Sequence, residues 1–151
     1  MTGKVYLVGA GPGDPKLITL RAIELIKKAD VVLYDRLVSK KILAMIPKHA
    51  VSIYVGRAVG DDTTHQDNTN ELMIKYAKLK KFVVRLKGGD PIIFGRGGEE
   101  AEFLKSFGVK YEIIPGITSG IGSATYAGIP LTHRKFASSV VFVTGHEDPE
   151  K

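Results

Sequence analysis

The sequence predicts an α/β fold, in which helices flank an open, mainly parallel β-sheet. Short apolar runs rich in β-branched residues alternate along the 151-residue chain with stretches whose apolar residues recur at helical spacing. Most of these runs lack a polar alternation, as expected for parallel strands that are covered on both faces. This alternation of strands and helices requires right-handed crossovers and places ligands beyond the carboxyl ends of the strands.

Six strands and five helices follow from these patterns. The predicted strands are Lys4–Val8, Val31–Tyr34, Val51–Val55, Phe82–Leu86, Lys110–Ile114 and Ser139–Thr144. The predicted helices are Thr19–Ala29, Ser39–Ile46, Asn70–Lys80, Gly98–Phe107 and Thr118–Ala127. Thr19 has the side-chain oxygen of an N-cap, and Gly108 and Gly128 tolerate the left-handed conformation that ends many helices.

The end of the sequence indicates where one domain closes. Residues 138–151 begin a new strand and then continue among charged side chains. We therefore expect residues 1–137 to form an N-terminal α/β domain that holds part of a ligand cleft. Residues 138–151 are expected to be a linker and the first strand of a second domain, which the sequence lacks.

Composition excludes several classes of protein. No cysteine is present, so disulfides, thiolate nucleophiles and zinc–thiolate sites are excluded. No apolar run is long enough to span a bilayer, and the start of the sequence lacks the apolar core of a secretion signal. These features favour a cytoplasmic protein without a membrane partner.

The net charge of +6 is concentrated in the first part of the chain. Residues 1–57 hold ten Lys and Arg against four Asp and Glu, and the remainder holds twelve of each. This bias favours an anionic partner, such as nucleic acid, phosphate or a polycarboxylate, although a solubilising surface would produce it too. The sequence has no aromatic stacking platform or recognition helix for nucleic acid.

The first three strands end in turns that carry glycine or charged residues. The loop Gly9–Pro15 lets the backbone approach a ligand, but its third glycine comes one position too early for the G-x-G-x-x-G spacing of dinucleotide-binding sites. Asp35 follows the second strand beside Arg36, and Arg57 follows the third. Each of these charges is either a functional group at the edge of the sheet or an ordinary surface charge.

The loop after the fourth strand is the most informative. Arg85–Glu100 contains five glycines, a proline and several charged residues, which is more than a strand-to-helix link requires. Gly88 and Gly89 would let a ligand lie against bare backbone, and Asp90 offers a hydrogen-bond acceptor. The next loop, Pro115–Gly120, opens a helix with hydroxyls that either cap the helix or hold polar atoms of a ligand.

Taken together, these loops resemble those of the tetrapyrrole methylase family. The matching stretches run in order and cover most of the chain: Val8–Pro15 with Leu17–Leu20, Ala29–Val38, Val84–Glu102, Val109–Ser119, Tyr126–Arg134 and Val143–His146. Within the family, Arg85–Glu100 is typical of the branch that methylates uroporphyrinogen III. The resemblance implies methyl transfer from S-adenosyl-L-methionine to C2 and C7 of that substrate. The products would be S-adenosyl-L-homocysteine and precorrin-2, an intermediate for sirohaem or cobalamin.

The resemblance also implies roles for individual residues. Asp35 matches the family's general base, and Arg57 occupies a position that is usually lysine and is assigned as a proton donor. Another set matches the residues that contact S-adenosyl-L-methionine: Pro12, Gly88, Gly89, Asp90, Ile93, Thr118 and Ser119. No metal is implied. Further cofactor contacts would come from the second domain, so the chain alone is expected to be inactive, and the resemblance implies a homodimer.

Two other functions remain open at this point. The chain could be a binding or regulatory module without catalysis, or a dinucleotide-binding domain, although the glycine spacing argues against the latter. The position of Arg57 also allows a second role. A guanidinium stays protonated at physiological pH, so we expect Arg57 to anchor a substrate carboxylate instead of donating a proton.

Overall fold

The structure, a computed structural model, describes residues 3–56 and 64–145, except the side chains of residues 64–67. Within these residues the centre is a five-stranded sheet whose neighbouring strands are all parallel. The strands are β1 (Lys4–Gly9), β2 (Val31–Tyr34), β3 (Val51–Tyr54), β4 (Val83–Lys87) and β5 (Lys110–Ile114). Their order across the sheet is β3-β2-β4-β1-β5. The predicted α/β fold with a parallel sheet is confirmed.

Four helices and a short 3-10 turn connect the described strands, and a fifth helix follows β5. They are α1 (Leu20–Lys28), α2 (Lys40–Leu43), α3 (Thr64–Lys78), α4 (Gly97–Ser106) and α5 (Ser119–Tyr126), with the 3-10 turn at Pro15–Leu17. Thr19 caps α1 as predicted, because its hydroxyl oxygen accepts a hydrogen bond from the N–H of Ala22 at 3.1 Å. Gly108, with a φ of 67°, follows α4 in the left-handed conformation. Among the helices described, none is long and apolar enough to cross a membrane.

Two helices differ from the prediction by three residues or more at one end. Regular helix α2 ends at Leu43, and single turns continue the chain to Ile46, because Pro47 disfavours helical backbone just before it. Helix α3 begins at Thr64 instead of Asn70. Its first turns are polar and show no apolar periodicity, so the sequence carries no signal of where this helix begins.

The predicted strand Ser139–Thr144 is not formed. Residues 138–145 have no regular secondary structure, and most of their apolar side chains are exposed, Val141 to 80% and Val143 to 82%. A strand needs a neighbour to satisfy its backbone hydrogen bonds, and none of the described strands pairs with this segment. The division of the chain into domains at residues 1–137 and 138–151 stays a prediction.

Two apolar layers cover opposite faces of the sheet. In one layer, Val84 and Leu86 of β4 pack with residues of α1 and α2. In the other, Val83 of β4 packs with residues of α3 and α4. Side chains alternate along a strand, so Arg85 and Lys87 lie on the Val83 face, towards α3 and α4. The parallel arrangement also brings the loops after the strands to one edge of the sheet, its carboxyl edge.

Candidate functional site

The loops after β1, β4 and β5 are joined through their glycine backbones. Gly11 and Gly89 exchange two backbone hydrogen bonds, of 3.0 and 2.8 Å. Gly116 lies so close to both other loops that a Cβ atom there would be 2.9 Å from the Cα of Gly9 and would collide with the carbonyl oxygen of Gly89. Only glycine allows this approach. The three loops therefore form one continuous wall, which we call the glycine wall.

Asp90 holds the glycine wall together through its carboxylate. Its Oδ1 accepts hydrogen bonds from the backbone N–H groups of Ile92 and Ile93, at 2.8 and 3.2 Å. Its Oδ2 accepts one from the N–H of Gly116 at 3.0 Å. The acceptor predicted from the sequence is thus used first by the protein's own backbone. A carboxylate has about four lone-pair sites, so one position remains for a ligand donor.

The glycine wall bounds an open cavity of about 540 Å³ at the carboxyl edge of the sheet, a size usual for small-molecule sites. All seven residues predicted to contact the cofactor line it: Pro12, Gly88, Gly89, Asp90, Ile93, Thr118 and Ser119. Asp35 lines the same cavity. Arg57 lies outside the described residues, although Val55 and Gly56 just before it line the cavity. The structure brings the described candidates together, and their binding roles stay predictions.

Asp35 lies directly after β2, with 21% of its side chain exposed. Its Oδ1 accepts a hydrogen bond from the N–H of Leu37 at 3.0 Å. Its Oδ2 accepts one from Nη2 of Arg85 at 3.4 Å. A carboxylate that lines a cavity and is oriented at both oxygens has the geometry of a proton acceptor for a bound ligand.

A buried ion network, which the sequence analysis did not predict, adjoins Asp35. Glu100 of α4 is fully buried, and its Oε1 accepts a hydrogen bond from Nε of Arg85 at 3.1 Å. Its Oε2 accepts one from Nζ of Lys87 at 2.9 Å. The side chains of Arg85 and Lys87 are only 6% and 5% exposed. The sequence did carry a signal for this network, since two cations occupy alternate positions of an otherwise apolar strand. Buried cations need a buried anion as partner, so this pattern could have predicted one.

The charges of this network affect the proton affinity of Lys87. Burial lowers the pKa of the Lys87 ammonium from its usual 10.5, and the positive charge of Arg85 lowers it further. The carboxylate of Glu100 opposes both effects and keeps the pair hydrogen-bonded. Two cations face the two carboxylates of Glu100 and Asp35, so the network as a whole is electrically balanced.

The entrance of the cavity combines apolar and cationic side chains. Leu37 and Phe94 line the cavity while 69% and 61% exposed. Arg36 and Arg96 add positive charge, and Nε of Arg96 donates to Glu99 at 2.7 Å. Phe94 and Arg96 adopt left-handed φ values of 54° and 57°, a costly conformation for residues other than glycine that is common at functional sites. Such an entrance suits a ligand with an apolar body and acidic groups.

The start of α5 forms another part of the cavity. Thr118 is the N-cap residue of α5, but its side chain makes no capping hydrogen bond, so helix capping does not account for this hydroxyl. Pro12 packs against the same helix, where a Cβ on Gly122 would lie 3.0 Å from Cγ of Pro12. The loop after β1 is thereby held against α5 on one side of the cavity.

The path of the chain after β1 argues against a dinucleotide site. Helix α1 begins at Leu20, and the 3-10 turn Pro15–Leu17 separates it from the glycine turn after Gly9. In a dinucleotide-binding fold, the helix opens inside the glycine turn and directs its free N–H groups at the pyrophosphate. Among the side chains that the structure describes, those of residues 3–56 and 68–145, no three potential metal ligands lie together.

Comparison with known proteins defines the class to which this fold and cavity belong. The profile of the Tetrapyrrole (Corrin/Porphyrin) Methylases matches residues 4–151, and the chain belongs to this family. It is 58% identical over 149 residues to uroporphyrinogen-III C-methyltransferase of Bacillus subtilis, covering 99% of this chain and 58% of that protein. It is 60% identical over 144 residues to siroheme synthase of Pseudoalteromonas atlantica, covering 95% of this chain and 31% of that protein.

A solved structure adds a ligand to the comparison. The crystal structure of uroporphyrin-III C-methyl transferase from Thermus thermophilus complexed with S-adenyl homocysteine superposes with a TM-score of 0.74 at 50% sequence identity. The match covers 91% of this chain and 53% of that protein. This chain therefore spans little more than half the length of the methyltransferases that it matches.

Proposed function

We propose that the full-length protein containing this chain transfers methyl groups from S-adenosyl-L-methionine to C2 and C7 of uroporphyrinogen III, giving precorrin-2. The observation that carries this proposal is the position of Asp35, which lines the same cavity as the glycine wall. One cavity can therefore hold a methyl donor beside a proton acceptor. The similarity to proteins named for this reaction supports the proposal.

The proposed cofactor site is the glycine wall and its neighbours. Gly88 and Gly89 offer bare backbone, and Asp90 keeps one acceptor position for a ligand donor. Ile93 supplies an apolar contact, and Thr118 brings a hydroxyl that α5 does not use as a cap. Pro12 and Ser119 complete the set. Further contacts are proposed for the region of the longer methyltransferases that this chain does not cover.

The proposed substrate site is the entrance. Uroporphyrinogen III is a large macrocycle that carries many carboxylates. Leu37 and Phe94 provide apolar surface for the ring, while Arg36 and Arg96 offer guanidinium groups for its carboxylates. Arg57 follows Gly56 of the cavity in sequence, and we propose it as a further carboxylate anchor.

The proposed chemistry needs no protein nucleophile. Bound S-adenosyl-L-methionine supplies an electrophilic methyl group, whose bond to sulfur breaks as a pyrrole carbon of the substrate forms a new bond to it. The protein holds both reactants in line, which can lower the barrier substantially. The methylated macrocycle then loses a proton, and Asp35 accepts it.

The cellular setting is also proposed. The product would enter sirohaem synthesis, as the similarity to siroheme synthases supports, and cobalamin synthesis in organisms that make it. The absence of cysteine favours a reducing compartment such as the cytoplasm. Membership of the family favours a homodimer. Light scattering of the purified full-length protein would measure its oligomeric state.

The direct test is an anaerobic assay of the full-length protein with uroporphyrinogen III and S-adenosyl-L-methionine. We expect precorrin-2, detected by absorbance and mass. An absence of methylated product would overturn the proposal and leave a binding module. Titration with NAD in parallel with S-adenosyl-L-homocysteine separates a dinucleotide domain from a methyltransferase. Residues 1–151 alone should bind S-adenosyl-L-homocysteine more weakly than the full-length protein by orders of magnitude, because this chain spans little more than half the length of the methyltransferases that it matches.

A further inference from the structure

All three nitrogen atoms of the Arg85 guanidinium donate hydrogen bonds. Nε donates to Oε1 of Glu100 at 3.1 Å, and Nη1 donates to the carbonyl oxygen of Leu86 at 3.1 Å. Nη2 donates to Oδ2 of Asp35 at 3.4 Å. A planar guanidinium with two fixed partners cannot turn, so its third contact has a defined direction. The orientation of Asp35 is thus linked to the buried carboxylate of Glu100.

Asp35 itself has few other restraints. It lies in a loop, and among the residues that the structure describes, the N–H of Leu37, which donates to Oδ1, is the one backbone group that bonds to its side chain. A single hydrogen bond leaves a carboxylate free to rotate about the bond to that oxygen. The contact from Arg85 to the other oxygen removes this rotation. A proton acceptor must keep a lone pair directed at its substrate, and small misplacements are costly to catalysis.

The sheet does not need charges at these positions. Arg85 pairs in register with Leu7 of β1 and Leu33 of β2, and both of these neighbours are fully buried leucines. Replacement of a buried ion network by apolar side chains of similar size is often neutral or stabilising. Arg85 and Lys87 line the cavity beside Asp35, so the network lies where it can orient that carboxylate.

We propose that Arg85 is a positioning residue for Asp35, and that Glu100 holds the guanidinium of Arg85 in place. This inference rests on the proposed methyltransferase function. Nζ of Lys87 donates to Oε2 of Glu100, the oxygen that Arg85 does not contact, and so also pairs with that carboxylate. Neither Arg85 nor Glu100 is required to touch the reacting atoms.

The test is Arg85→Met in the full-length protein, assayed with uroporphyrinogen III under anaerobic conditions. Methionine keeps much of the side-chain volume, and Glu100 remains paired with Lys87, so the fold should persist. We expect kcat to fall by about 10²-fold, as a misplaced catalytic group would cause. The Kd for S-adenosyl-L-homocysteine, measured by calorimetry, should change by less than about threefold. Arg21→Met, which removes an exposed arginine that pairs with Glu24, is the matched control and should leave kcat unchanged.

A double-mutant cycle with Asp35→Asn isolates positioning from a general structural effect. An asparagine at position 35 cannot accept the proton. Loss of its orientation should therefore cause no further fall in kcat. We therefore expect Arg85→Met to change kcat by less than about threefold in the Asp35→Asn protein. If the two losses multiply instead, Arg85 acts independently of Asp35 and the inference is wrong.

Glu100→Gln provides a second variant, because it preserves shape and removes the charge that holds Arg85. We expect a smaller fall in kcat, which should also vanish in the Asp35→Asn protein. Loss of folding in both Arg85→Met and Glu100→Gln would overturn the inference, since the network would then serve the fold. An inactive unmodified protein would overturn the proposed function. An active protein in which Arg85→Met leaves kcat unchanged would overturn the positioning role alone.

Discussion

The carboxylate of Asp90 and the backbone N–H of Gly116 are joined by a hydrogen bond of 3.0 Å, although the two residues are 26 positions apart. The bond connects the loop after β4 to the loop after β5. Because its acceptor is charged, it is stronger than a bond between neutral groups. The shape of the cavity therefore depends on one side chain that also contacts the backbone of its own loop.

Asp90→Asn should weaken both the fold and the cavity. An amide has one acceptor oxygen, so its NH₂ group would face the N–H of Gly116 or those of Ile92 and Ile93 and leave a donor unsatisfied. We expect a loss of about 1–3 kcal/mol in the free energy of unfolding. Affinity for S-adenosyl-L-homocysteine should also fall, as calorimetry would measure.

The matched control for this change is Asp30→Asn. Asp30 directly precedes β2, at the end of that strand opposite to the cavity. Its Oδ2 accepts a hydrogen bond from the N–H of Phe82 at 2.7 Å. This variant should lose stability but keep its affinity for S-adenosyl-L-homocysteine. Equal loss of affinity in the two variants would show that Asp90 has no particular role at the cavity.

Gly116→Ala should disrupt the glycine wall. The added Cβ would collide with the carbonyl oxygen of Gly89 and approach the backbone of Gly9, and backbone atoms cannot move aside as a flexible side chain would. We expect destabilisation of about 1–3 kcal/mol, as overpacking usually causes. In Gly98→Ala the new Cβ would meet nothing within 4 Å, so that variant should be neutral or slightly more stable. Thermal unfolding of the two proteins side by side measures the difference.

Asp35→Asn should reduce turnover far more than cofactor affinity. The amide preserves shape but cannot accept a proton, and a positioned base typically contributes about 10²–10⁴-fold. Steady-state kinetics of the full-length protein and calorimetry with S-adenosyl-L-homocysteine separate the two effects. Unchanged turnover would remove Asp35 from the mechanism.

Arg57→Met should mainly raise the KM for uroporphyrinogen III, because uniform substrate binding would be lost. Arg57→Lys should keep most of the activity, since a cation remains near the same carboxylate. An ordinary surface arginine would give no change in either variant. A lower kcat at saturating substrate with an unchanged KM would instead place Arg57 in the chemical step, and the anchoring role would be wrong.

Glu112 should make stability depend on pH in the acid range. The hydrogen bond from Lys4, at 2.6 Å, lowers the pKa of Glu112 below its usual 4.5, and Arg21 contributes in the same direction. A carboxyl whose pKa is lowered by folding stabilises the folded state when the pH is above its pKa in the unfolded chain. This stabilisation is lost as the pH falls through its lower pKa in the folded state. The difference in unfolding free energy between the unmodified protein and Glu112→Gln should therefore shrink as the pH falls below 4.5. A difference independent of pH would contradict the assignment.

The elements that the sequence predicted well are those whose signals are local. The apolar run Val31–Tyr34 became a strand with the predicted ends, and the hydroxyl of Thr19 caps α1. The described candidate site residues line one cavity, because parallel strands bring their carboxyl ends to one edge, and their roles stay predictions. The prediction of a strand at Ser139–Thr144 failed, because a strand depends on a partner that local pattern does not report.

The contacts of the buried ion network could not be predicted from the sequence, because they depend on the tertiary structure. Arg85 contacts Asp35 across 50 positions and Glu100 across 15, and both contacts depend on the strand order and on how α4 packs. The charged residues of the loop after β4 were visible, but which of them would be buried was not. Glu100 in particular has the sequence context of an exposed helical residue, beside Glu99.

The strand order has a consequence for synthesis on the ribosome. Strand β1 is made first, yet its neighbours are β4 and β5, and Val5 pairs with Val83. Among the described strands, only β2 and β3 can pair before β4 has emerged. The nascent chain must therefore hold an apolar strand without a partner over much of its translation, which slows folding and exposes the strand to aggregation. The bonds between Gly11 and Gly89 can form only once β4 has joined β1 to β2, so a chain interrupted before β4 would lack the glycine wall.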